Sequence, residues 1–105
     1  VTVLDTLSHE VLDTLAHEVR SASKVDVCIR EDVLVLDAPD GARCEIWVDW
    51  LDLDDPFCLE LNGPCVPLRL YGRTMRDLYA RLKLAARTIP TLNTLFTFNK
   101  EKRSW

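Results

Sequence analysis

No uncharged stretch of this chain approaches the roughly 18 residues that a membrane-crossing helix needs, so no helical span is expected. G-x-S-x-G, the phosphate-cradling P-loop and G-x-G-x-x-G are all missing. Those are the short motifs that mark a nucleophile elbow or a nucleotide site. Histidine occurs only at His9 and His17, both in one predicted helix. No second element therefore offers an imidazole to orient or deprotonate a cysteine. The four cysteines (Cys28, Cys44, Cys58, Cys65) contain no C-x-x-C pair, and they read as reduced thiols on strands. A zinc site made of all four would require the fold to converge them, because structural zinc sites use short ligand spacings. The opening residues alternate Asp, Glu and Leu where a secretory signal would have a basic start and an apolar stretch. These absences lead us to expect a cytoplasmic, non-catalytic protein without metal or cofactor.

Charge is abundant, and it is sorted along the chain. Residues 1–64 hold 15 Asp or Glu against 4 Lys or Arg, and residues 65–105 hold 2 against 9. The balances of −11 and +7 sum to the net −4. Either the two lobes neutralise each other within one molecule, or they are shown to partners, and charge-guided association is then the leading functional expectation.

Hydrophobic periodicity predicts the elements. Over residues 2–22, Leu4, Leu7, Val11, Leu12, Leu15, Val19 and Ala22 share one face of a helix. Within it VLDTLSHE is nearly repeated as VLDTLAHE. Eight residues turn a helix by about 80° beyond two full turns, so the copies do not share a face and mark a local duplication. Residues 25–71 alternate as strands. Val33 to Leu36 forms an unbroken apolar run suited to a strand covered on both faces. In the third strand Cys44, Ile46, Val48 and Trp50 fall on one side, and Glu45, Trp47 and Asp49 on the other. Turns are signalled at Ala38 to Gly41, at Asp54 to Pro56 and at Asn62 to Pro64. Residues 73–89 form an amphipathic helix, stopped by Pro90. The expected fold is α+β, one domain over residues 1–105. It is an antiparallel meander of four or five strands, with an N-terminal and a C-terminal helix packed on one face.

Several clusters invite a functional reading. His9, Asp13 and His17, with Glu10 beside them, line up at i, i+4 and i+8. The two histidines are then ~12 Å apart along the axis, too far to grip one ion, and a solvated face explains them better. Asp49, Asp52, Asp54, Asp55 and Glu60 surround one strand connection. Calcium loops need a glycine at their tight turn, and DWLDLDDP has none. A basic partner suits these carboxylates, with Trp47 as the aromatic anchor. Arg73, Arg76, Lys83 and Arg87 edge the second helix and offer an alternative, nucleic-acid-binding surface. Leu92, Leu95, Phe96 and Phe98 would forgo on the order of 6–12 kcal/mol if left in water. They are expected in the chain's own core or in an oligomerisation segment within 91–105, which would make a homodimer. The leading expectation is a small protein-binding module that covers a basic site on a larger protein, an inhibitor of the phage anti-defence or anti-CRISPR kind.

Overall fold

The computed structural model describes residues 3–49, 51, 52, 54–63 and 67–98, with side chains from residue 10 onward. Expectations for Trp50, Cys65, Val66, the side chains of Leu4, Leu7 and His9, and residues 99–105 lie outside the described residues. The fold is α+β. Helix α1 (Val3–Ala22) leads into β1 (Val27–Arg30), β2 (Val33–Asp37), β3 (Arg43–Val48), β4 (Phe57–Asn62) and β5 (Leu68–Gly72). Helices α2 (Met75–Ala85) and α3 (Pro90–Leu95) follow. The five strands form one antiparallel sheet in the order β1-β2-β3-β4-β5. This is the meander that short turns between consecutive strands favour.

Strand register places alternate residues in two opposed sets. Leu34, Ile46, Leu59 and Leu70 lie opposite one another in one row, and Leu36, Cys44, Leu61 and Leu68 in the next. These residues join one hydrophobic cluster with Leu12, Leu15, Ala16 and Val19 of α1, Met75, Leu78 and Leu82 of α2, and Leu92 and Leu95 of α3. All three helices therefore cover the same side of the sheet. The odd-numbered partners in β2 and β3 and the even-numbered ones in β4 point to the other side, which none of the three described helices covers. The apolar run at Val33 to Leu36 is buried on both faces as expected: helices cover Leu34 and Leu36, and Val35 on the opposite side is buried as well.

Local chemistry fixes the element ends. The Thr74 hydroxyl accepts the Asp77 N–H at 3.1 Å, and the Asp77 carboxylate accepts the Arg73 N–H at 3.0 Å. The first bond satisfies an orphan donor at the start of α2, and the second ties the Asp77 side chain back to the residue before the Thr74 cap. Gly72 is required just before it, since a Cβ there would lie 2.6 Å from the Leu78 nitrogen. The β2–β3 turn closes through the Gly41 N–H to the Ala38 carbonyl at 3.0 Å, with Gly41 at φ +92°. The β1–β2 turn is less well matched to its residues. Glu31 and Asp32 occupy φ 48° and 66°, a left-handed pair that a two-residue hairpin demands and that Asn-Gly adopts with less strain.

The C-terminal segment belongs to the core. Leu92, Leu95 and Phe96 are buried, and Phe98 is half-buried against Tyr79 and Phe96. Backbone bonds tie it to the end of α1: Lys24 N–H to the Leu95 carbonyl at 2.9 Å and Thr97 N–H to the Ala22 carbonyl at 2.8 Å. The Tyr79 hydroxyl donates to the Thr97 carbonyl, and Thr91 donates to the Asp40 carboxylate at 3.0 Å. The choice that the sequence left between own core and oligomerisation thus falls to the core. Leu92, Leu95, Phe96 and Phe98 are corrected from a candidate self-association surface to the last layer of packing, because their apolar area is already removed from water. Pro90, expected only as a stop, also starts α3, where its missing N–H costs nothing.

Two outcomes follow. The double substitution Glu31→Asn, Asp32→Gly raises stability by about 1 kcal/mol in urea unfolding, because it relieves two left-handed side chains. Leu92→Ala lowers stability by roughly 2–5 kcal/mol and leaves the sedimentation coefficient of the folded protein unchanged.

Candidate protein-docking face

The bare side of the sheet is built in cross-strand rows. One row contains Trp47 opposite Cys58 and Cys58 opposite Tyr71. Continuing the β2–β3 register sets Val33 beside Trp47, and Arg30 lies opposite Val33 at the β1 edge. The adjacent row runs Cys28, Val35, Glu45, Glu60, Arg69. Val35 and Cys58 are buried although no described helix lies above them. Trp47 and Glu45 are half-buried, and Tyr71 retains 38% exposure. A sheet face with partly exposed aromatic side chains is the kind of patch that marks an interaction surface.

The acidic connection between β3 and β4 stands at the Trp47 end of this face. Its base is closed by the Asp49 N–H donating to the Pro56 carbonyl at 2.6 Å. Inside it, the Asp49 carboxylate accepts the Leu51 N–H at 3.0 Å. The Asp52 carboxylate accepts the Asp54 and Asp55 N–H groups at 3.1 and 3.0 Å. These bonds fix the loop. Among the described residues, Asp49, Asp52, Asp54 and Asp55 have no ion-pair partner. The Cys58 thiol is pushed up by burial, and then by the fields of Asp49, Asp52 and Asp55, with Arg69 opposing them. The loop carboxylates therefore act on the same face as the Trp47 row.

Glu60 differs from the other acidic candidates. Arg69 pairs with it, and Asn62 donates to it at 2.9 Å. The Asn62 bond, then Arg69, holds its carboxyl below the usual range. Glu60 is thus neutralised on the sheet and is not part of the free acidic surface. Arg43 is likewise engaged, with Asp37 at 2.9 Å. Leu51, at the head of the acidic loop, is 95% exposed, which sequence reasoning did not single out. An apolar residue inside a run of aspartates, with no periodic partner, was the only signal for it. Tyr71 was not singled out either, although it lies within the stretch 25–71 read as strands.

The remaining candidates sit elsewhere. Arg73, Arg76, Lys83 and Arg87 are exposed on α2 and its flanks, on the helical side of the sheet. Asp77 lies among them and pairs with Arg81 at 3.6 Å. The acidic face and the basic helix thus occupy opposite sides of the sheet. Asp13 and His17 are exposed on α1. Cys44 points into the core while Cys28 and Cys58 are on the bare side, two strands apart, so these thiols do not converge on a metal. Comparisons with protein-family models, curated proteins and solved structures found no match.

Thiol accessibility checks the two-sided geometry. Iodoacetamide at neutral pH alkylates Cys28 at the rate of a free thiol, and Cys44 and Cys58 at least tenfold more slowly. Both slow thiols have raised pKa values for which burial is the first cause.

Proposed function

We propose that this chain is a small protein-binding module that docks through the bare face of its sheet onto a basic surface of a larger protein. The supporting observation is the juxtaposition of the Trp47 row with the fixed acidic loop. Trp and Tyr are favoured interface anchors, the carboxylates beside them would steer a basic partner, and Leu51 adds an apolar contact at the rim. The contacts are Trp47, Asp49, Asp52, Asp54 and Asp55, joined by Leu51 and Tyr71, with Glu60 holding Arg69 in place. An aromatic sheet face also suits stacked nucleobases, but these carboxylates repel phosphates, so the charge favours a cationic protein. Covering a basic site in this way would inhibit a protein that uses the site for nucleic acid, which keeps the anti-defence reading as its functional consequence. Among the described residues of the face none is arranged as a nucleophile with its base, and the reading is of binding without catalysis.

The alternative, nucleic-acid binding through Arg73, Arg76, Lys83 and Arg87, has their exposure in its favour. Asp77 within the same stripe weakens its attraction for phosphate.

With a partner recovered by affinity capture, association kinetics test the reading. Asp52→Lys, Asp54→Lys and Asp55→Lys together slow association at least tenfold at low salt and flatten its salt dependence. Unchanged association and affinity would reject the docking face.

A further inference from the structure

We infer that the docking face recognises arginine, with a guanidinium seated between the Glu45 carboxylate and the Trp47 ring. This rests on the proposed docking role and names the side chain it selects. Glu45 and Glu60 lie directly opposite each other on β3 and β4. Like charges in that position destabilise a sheet unless a cation relieves them. One cation is present: Arg69 lies opposite Glu60 and bonds to it. Arg43, two residues from Glu45 on the same side of β3, bonds to Asp37 and feels Glu45 only as a weaker, unbonded charge. Glu45 has no ion-pair partner among the described residues, although it is half-buried beside Val35. The row therefore holds two carboxylates and one bound arginine.

Trp47 stands two residues along β3 from Glu45 on the same face, ~7 Å away at ordinary strand rise. A cation reaching Glu45 from the acidic loop passes over Trp47. Guanidinium is flat, weakly hydrated and able to stack on an aromatic ring while forming two parallel bonds to a carboxylate. An ammonium is compact and strongly hydrated, and it gains less from the ring. The loop carboxylates attract either cation from a distance; Glu45 and Trp47 distinguish between them at contact.

The test uses the full chain with fluorescently labelled hexa-arginine and hexa-lysine peptides, titrated by anisotropy at low and at physiological salt. Hexa-arginine binds at least tenfold more tightly than hexa-lysine. Glu45→Gln and Trp47→Leu each reduce that ratio to threefold or less, while Asp13→Asn on α1 changes neither affinity. Circular dichroism checks that the variants are folded. Glu45→Gln is nearly isosteric, so it keeps the test decisive if Trp47→Leu fails to fold. Equal affinities for the two peptides, both weakened by the triple loop substitution, would overturn the arginine assignment and leave the docking face standing. No binding of either peptide at low salt would count against both. Self-association abolished by Glu45→Gln would assign the face to a second copy and also overturn the inference.

Discussion

The structure of this protein depends on a sheet whose three described helices all pack on one side. The rows centred on Leu34, Ile46 and Leu59 and on Leu36, Cys44 and Leu61 are sealed by α1, α2 and α3. Each such side chain contributes roughly 1.5–3 kcal/mol when removed from water, and together they hold helices and strands in one body. Period-two alternation then sends the intervening residues to the opposite side. Trp47, Cys58 and Tyr71 line up there as a consequence of the core's register. A one-residue slip in β3 would exchange the two sets, so the same packing that stabilises the fold also fixes the docking face.

The charge segregation acquires a spatial meaning from this arrangement. The acidic loop extends from the β3–β4 end of the bare face, and the basic residues of α2 stand on the helical side. Three ion pairs among the described residues are local: Asp37 with Arg43, Glu60 with Arg69, Asp77 with Arg81. None of these three joins the acidic loop to the basic helix. Exposed pairs of this kind contribute little to stability, so the separation costs the fold little and leaves an electrostatic field at the face.

Much of the secondary structure was legible because its signals are local. The 3.6-residue period over α1 and α2, the alternation along β3 and β4, and the Pro39–Gly41 turn each depend on neighbours in sequence. Less legible were features that depend on distant contacts. The C-terminal segment reads as apolar, but whether it finds its own core depends on Ala22, Lys24 and Tyr79, which are remote from it in sequence. The neutralisation of Glu60 depends on the β4–β5 register that sets Arg69 opposite it. The exposure of Leu51 depends on a loop closed between Asp49 and Pro56.

By itself the sequence determined the α+β class, the order of elements, the strand face that Trp47 shares with Glu45, and the excess of acid before residue 65. Those properties reside in composition and short-range period, which survive without knowledge of neighbours. Tertiary structure alone decided that the last apolar residues are buried in their own chain, and that of the Glu45–Glu60 pair Glu60 is bonded to a cation while Glu45 forms no ion pair among the described residues. Such outcomes depend on which surfaces meet across space, and a one-dimensional pattern carries no measure of that distance.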